Sequence, residues 1–189
     1  MLCISVEEFL FWKKKQLSKG GDKQTFAVLL DCMGGVSSSE INLITINPQG
    51  ILYLKKNLEF LESVWDDHLL RSCPIQYLCG ITFWRDLKLK VTNKVLIPRP
   101  ETELIVDIVF DIFRKKSEKL FFAELGTGSG AISIALALAY PFSDGLATDV
   151  DQDALEIATN NYINSTNRFE IARSNFPLQL SRGDHQFPQ

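Results

Sequence analysis

Leu120-Phe121-Phe122-Ala123-Glu124-Leu125-Gly126-Thr127-Gly128-Ser129-Gly130-Ala131 is the stretch that decides the fold. An apolar run to Leu125 meets three glycines at alternate positions, and a helical apolar pattern begins at Ala131. This is strand, tight turn, helix. Glycine is needed where a backbone takes positive φ or lies against a ligand without a Cβ in the way, and the following helix offers unpaired N–H groups. The stretch reads as a nucleotide-type cofactor cradle. Its spacing leaves the cofactor open, because Gly126-x-Gly128-x-x-Ala131 also satisfies the dinucleotide fingerprint in its Gly/Ala form.

Downstream, Ala131 to Ala139 is a helix apolar on all sides, which must be buried, and Tyr140-Pro141 closes it. Gly145 to Asp149 reads as a second strand, Gln152 to Asn161 as its crossover helix, and a third strand is expected near Phe169 to Ala172. Strand and helix alternating in this way imply parallel pairing. Upstream, Pro98-Arg99-Pro100-Glu101-Thr102-Glu103 enters a helix with apolar residues at Leu104, Ile105, Ile108, Val109, Ile112 and Phe113. Before it, Leu87, Leu89 and Val91 alternate with lysines, Thr92-Asn93-Lys94 supplies a turn, and Val95-Leu96-Ile97 returns, which predicts a β-hairpin.

The first seventy or so residues read as a small helical bundle. Helices are predicted over 4–17 with Ser5 as N-cap, over 25–33 before Gly34-Gly35, from Ser37 until Pro48 breaks the segment, and over 51–70. Trp12 and Trp65 fall at core positions of these helices. The division expected is a helical domain over 1–72, a hairpin linker over 73–99 and a cofactor domain over 100–189.

Composition sets limits on function. With 189 residues, 46% hydrophobic, the chain can bury a core. A formal net charge of -3 gives no general electrostatic reason to expect nucleic acid or an anionic membrane as partner. Cys3, Cys32, Cys73 and Cys79 lie far apart with no C-x-x-C pair, and His68 and His185 are the only histidines, so no metal site or disulfide framework is expected. The opening residues do not have the charge order of a signal peptide, and no apolar run is long enough to span a bilayer, so a reducing, cytoplasmic setting is expected.

Two features bear on the cofactor. Asp149 stands 23 positions after Gly126, where a ribose-binding carboxylate belongs in both an adenosylmethionine and a dinucleotide site. Glu124, two residues before the first glycine, discriminates: a carboxylate there suits the cationic methionine end of adenosylmethionine and faces a pyrophosphate unfavourably. Gly130 extends the turn to Glu-x-Gly-x-Gly-x-Gly. A P-loop and a nucleophile elbow are both excluded by their missing residues.

Three ordered motifs carry a family resemblance: Pro74-Ile75-Gln76-Tyr77-Leu78-Cys79-Gly80, then Leu96-Ile97-Pro98-Arg99-Pro100-Glu101-Thr102-Glu103, then Glu124 to Gly130. Together the sequence resembles the release-factor glutamine methyltransferases (the HemK/PrmC family), from the helical module to about Phe176. The resemblance implies an α/β architecture: an N-terminal helical bundle, a β-hairpin linker and the first half of a Rossmann-like class I methyltransferase sheet. It implies S-adenosyl-L-methionine as methyl donor, and transfer to the side-chain amide nitrogen of the glutamine in a Gly-Gly-Gln loop. The partner implied is a peptide chain release factor, recognised with help from the helical domain.

Carried over by position, the resemblance sets Gly126, Thr127, Gly128, Ser129 and Gly130 against the methionine part and Asp149 on the ribose hydroxyls. Phe176 lies in the segment beside the adenine, where a core role is an equal alternative. Arg99, Glu101 and Thr102 are expected to shape the cofactor mouth or its packing. The family's Asn-Pro-Pro-Tyr motif, which orients the acceptor amide by hydrogen bonds, is absent from this sequence. No catalytic residue is therefore assigned, and the resemblance implies that the chain stops near the start of the fourth strand, with the first strand left as a sheet edge. Two other readings stand beside methyl transfer: an inactive adenosylmethionine-binding fragment, and an NAD-dependent oxidoreductase.

Overall fold

The computed structural model describes residues 2–115, 117, 119–168 and 178–182, with the backbone alone described at 166–168 and 178–182. The chain forms two compact units that divide between Gly80 and Ile81. Ile75–Cys79 therefore stays with the helices, and the hairpin belongs to the second unit.

In the first unit, a short strand β1 (Leu2–Ser5) leads into helix α1 (Val6–Ser18), where the Ser5 hydroxyl accepts from the N–H of Glu8 at 3.1 Å. Helix α2 (Lys23–Leu29) is capped by Asp22 and runs on as a π-helical turn over Leu30–Gly34. Helix α3 (Ser38–Ile46) opens with a full capping box, Ser37 and Glu40 each satisfying the other's backbone N–H. Strand β2 (Ile51–Leu54) pairs antiparallel with β1, Leu2 opposite Leu54. Helix α4 (Leu58–Arg71), capped by Asn57, and the short α5 (Ile75–Cys79) complete the unit.

Strand β2 corrects the helix expected over 51–70. Leu52 and Leu54 point into the core while Ile51 and Tyr53 face out, a period of two that the longer helical pattern masks. Asn57 then starts the helix seven residues later than Gly50 alone suggests. Phe9, Trp12, Phe26, Leu29, Leu61 and Trp65 form the centre of the core, as the helical spacing predicted for both tryptophans. Phe26 and Trp65 meet edge-on at 4.8 Å between ring centroids, and the Trp65 indole donates to the Gln16 carbonyl.

The second unit begins with the hairpin β3 (Ile81–Trp84) and β4 (Leu87–Lys90), turning at Arg85-Asp86. This corrects the expected hairpin: Leu87 and Leu89 pair with Trp84 and Thr82 ahead of them, not with 95–97 after them. Thr92 does form a turn, accepting from Val95 and Lys94. A 3-10 turn over Pro100–Thr102 feeds helix α6 (Glu103–Ile112). Arg85 ties the hairpin to that helix, donating to Asp107 at 2.8 Å and to the Glu103 carbonyl.

Strands β5 (Phe121–Leu125), β6 (Asp144–Asp149) and β7 (Leu178–Arg182) form a parallel sheet in the order β5-β6-β7. Helices α7 (Ala131–Ala139) and α8 (Gln152–Arg168) are its crossovers. This is part of a Rossmann-like α/β fold. The third strand expected at 169–172 lies outside the described residues, and the strand observed is β7. Among the described residues β5 pairs on one side only, so it is an edge. Its outward residues are bare, Phe121 at 77% and Leu125 at 75% exposure, and on α6 Leu104, Ile105, Ile108 and Ile112 are exposed while Val106 is fully buried. Helix α7 buries Ala131, Ser133, Ile134, Leu136 and Ala137.

Candidate functional site

The end of β5 delivers the chain into a turn at Gly126, and four backbone N–H groups hold that turn to the protein. The N–H groups of Gly126 and Thr127 both donate to the Thr148 carbonyl on β6, each at 2.8 Å. The N–H of Gly128 donates to Asp149 Oδ2 at 2.9 Å, and that of Gly130 to the Thr127 carbonyl at 2.9 Å. Gly126 and Gly128 have φ of +77° and +55°, and a Cβ built on either would meet nothing within 4 Å. At these two positions the space over the backbone is open, as a ligand cradle requires.

Gly130 has a different reason to be glycine. A Cβ there would lie 3.0 Å from the Ile134 side chain and 3.2 Å from the Ala158 Cβ, so its absence lets α7 and α8 pack closely. Thr127 and Ser129 are buried within the turn. Phe176 lies outside the described residues. Arg99 and Glu101 are exposed in the turn entering α6, where the Arg99 carbonyl accepts from the Trp84 indole at 2.9 Å.

Glu124 is half-buried under the turn and accepts three hydrogen bonds on Oε2, from the Thr127 hydroxyl at 2.8 Å, the Ser133 N–H at 3.1 Å and the Ser133 hydroxyl. Among the described residues no hydrogen bond ends on Oε1. Burial raises the Glu124 pKa above its ordinary value; the bonds from Ser133 and Thr127 work the other way, and the charge of Asp149 adds to the rise. Asp149 in turn accepts the Asp151 N–H on Oδ1 at 3.1 Å, so its carboxylate is oriented by backbone on both sides.

Two positioning residues carry no sequence signal of their own. Ser133 sits in an otherwise apolar helix and spends its hydroxyl and its N–H on Glu124. Asn161 on α8, 1% exposed, donates to the Ser129 carbonyl at 2.9 Å and the Lys90 carbonyl at 3.0 Å, and accepts from the Lys90 N–H at 2.6 Å. It joins the glycine turn to β4. No cluster of three His, Cys, Asp or Glu side chains stands ready for a metal ion among the described residues, and no described helix is long and apolar enough to cross a membrane.

The site is thus two carboxylates beside a turn in which the N–H groups of Gly126, Thr127, Gly128 and Gly130 bond to the protein. A release factor glutamine methyltransferase from Prochlorococcus marinus is 41% identical over 162 residues, which is 84% of this chain and 54% of that relative. Proteins of the same name from Thermosynechococcus vestitus (41% over 127 residues, 67% of the chain and 43% of the relative) and Gloeobacter violaceus (34% over 154 residues, 79% and 52%) also match. Over the matched stretch the chain belongs to the release factor glutamine methyltransferase family. It spans about half the length of the curated relatives it matches. No protein-family model matches the chain. Among solved structures, the N-terminal domain of human METTL16 in complex with SAH aligns with a TM-score of 0.43 and 19% identity, covering 86% of this chain and 56% of that one. The Pro-Arg-Pro-Glu-Thr-Glu motif contains the 3-10 turn Pro100–Thr102 that leads into α6.

Proposed function

We propose that this chain binds S-adenosyl-L-methionine at the glycine turn and serves methyl transfer to the side-chain amide nitrogen of the glutamine in the Gly-Gly-Gln loop of a peptide chain release factor. Gly126, Thr127, Gly128, Ser129 and Gly130 form or support the cradle for the methionine part, Asp149 takes the ribose hydroxyls, and Phe176 lies beside the adenine. In the same reading residues 1–72 recognise the protein substrate, 73–99 link, and 100–189 hold the cofactor, in the cytoplasm and without direct contact to nucleic acid or membrane.

One observation carries the choice of cofactor. A pyrophosphate binds at a strand-turn-helix junction through free N–H groups and the positive end of the helix. Here the N–H of Ser133 in the first turn of α7 is taken by Glu124, the N–H of Gly128 by Asp149, and those of Gly126 and Thr127 by the Thr148 carbonyl. Two carboxylates and four occupied N–H groups make this junction a poor anion site. That suits a ligand with an ammonium and a sulfonium and disfavours a dinucleotide.

The residues present fit the cofactor: open space over Gly126 and Gly128, and a Glu124 carboxylate whose Oε1 carries no hydrogen bond among the described residues. When bound, the cofactor supplies an electrophilic methyl on its sulfonium. The protein's part is to hold the donor, with Thr127 and Ser133 fixing Glu124 and Asn161 fixing the carbonyl side of Ser129. Calorimetric titration with adenosylmethionine and with NADH, followed by labelled-methyl transfer to a Gly-Gly-Gln-bearing release factor, tests the reading. Binding and transfer are expected. NADH binding without adenosylmethionine binding overturns it, and adenosylmethionine binding without transfer reduces the chain to a cofactor-binding module.

A further inference from the structure

The first unit carries a groove of about 680 Å³, enclosed by its own helices α1, α2 and α3. Two of its walls are helical stripes. Leu10, Lys14 and Leu17 line it from α1, at i, i+4 and i+7, and Ser38, Ile41 and Thr45 from α3, at i, i+3 and i+7. Phe26 from α2 and Leu30 from the π-helical turn after it, both fully buried, make the floor.

Its rim is cationic. Lys13, Lys14 and Lys23 all border the groove. Elsewhere on α1 the lysines are matched with acids of α4: Lys15 with Glu62, and Lys19 with both Glu62 and Asp66 at 2.7 and 2.8 Å. Lys13, Lys14 and Lys23 have no ion-pair partner among the described residues. Partial burial, and then the neighbouring Lys23 charge, lower the Lys13 pKa, as expected of crowded cations lacking an anion.

We propose that this groove docks an acidic amphipathic helix of a partner protein, its apolar stripe over Leu10, Leu17 and Ala27 and its carboxylates facing Lys13, Lys14 and Lys23. An amphipathic helix laid in an apolar groove anchors at i, i+3, i+4 and i+7 and leaves its other face to meet the rim charges. A membrane is the poorer occupant, because bilayer binding needs apolar residues that project, and here they form a floor. The inference concerns the first unit alone and holds whichever cofactor the glycine turn takes.

The test uses the full chain and a fluorescein-labelled helical peptide of about four turns, leucines at i, i+3, i+4 and i+7 and glutamates on its other face. Fluorescence anisotropy is expected to show saturable binding that weakens with added salt. A peptide with lysines for the glutamates is expected not to bind, and one with alanines for the leucines to bind at least tenfold more weakly. Reversing the rim with K13E, K14E and K23E together is expected to lose at least tenfold in affinity, with thermal unfolding unchanged. Ala27→Trp, which fills the groove, gives a second loss independent of charge. Equal binding of the glutamate and lysine peptides, no binding of the glutamate peptide, indifference to the rim reversal, or preference for phosphatidylglycerol vesicles over the peptide overturns the proposal.

Discussion

Asn161 donates to the carbonyl of Ser129 at 2.9 Å, so a buried side chain on α8 holds the glycine turn from behind. The same amide exchanges two hydrogen bonds with the backbone of Lys90 on β4. Asn161→Leu leaves two carbonyls and one N–H without their partner, and a loss of about 2 kcal/mol is expected from stranding buried polar groups. Urea unfolding followed by circular dichroism measures it. Asn161→Asp is expected to be worse than the apolar variant, because it sets a carboxylate against the two carbonyls.

Gly128, at φ +55° with open space above it, separates strain from occlusion. An L-residue in this backbone conformation costs about 1–2 kcal/mol, and a β-branched one more. Gly128→Ala is expected to fold and to weaken adenosylmethionine binding, while Gly128→Val abolishes it. Calorimetry gives the affinities and thermal unfolding the fold. Unchanged affinity in Gly128→Val removes the cradle.

Glu124 makes binding pH-dependent. Its folded pKa is raised above the ordinary 4.5 by burial first, with Asp149 adding to the rise. The native state then holds the proton more tightly than the unfolded chain, so the stability linked to Glu124 is complete below the unfolded pKa and is lost as pH rises through the folded one. Affinity for a cationic ligand moves the other way and grows across that window as the carboxylate ionises. Titrations over this range are expected to show the gain in wild type, its displacement to higher pH in Ser133→Ala, and its absence in Glu124→Gln.

The bare edge of β5 and the apolar stripe on α6 predict self-association. Phe121 and Ile112 are 77% and 65% exposed, and an open parallel edge beside such residues offers unpaired N–H and C=O groups to another chain. The double variant Phe121→Lys, Ile112→Lys is expected to raise the monomer fraction at a given concentration in sedimentation velocity. The same oligomer distribution as wild type contradicts this.

What could be read from the sequence was what is local. Gly126, Gly128 and the apolar Ala131–Ala139 run announce a strand-turn-helix in contiguous residues, and Ser5, Ser37 and Glu40 cap helices where their side chains can reach only a few positions away. The four-residue strands β1 and β2 pair Leu2 with Leu54 across a long stretch of chain, and β2 abuts a helical pattern that absorbs it. The hairpin turns at Arg85-Asp86 although Thr92-Asn93-Lys94 has the stronger turn chemistry, because Arg85 takes φ +50° and is fixed by Asp107 and Glu103 on α6. Glu124 was legible by its spacing to Gly126. Ser133 was hidden as one small residue in a greasy helix, and Asn161 as one of two adjacent asparagines, since only the fold shows which of them turns inward.

The division at Gly80 has a kinetic meaning. The N-terminal core, with its β1–β2 pairing, is complete within the residues before that point, whereas β6 finds β7 only when Arg182 has been made. At roughly 5–20 residues added per second, the helical module gains seconds in which to close before the sheet can exist. A nascent chain thus carries a finished helical module while the sheet and its glycine turn are still being synthesised.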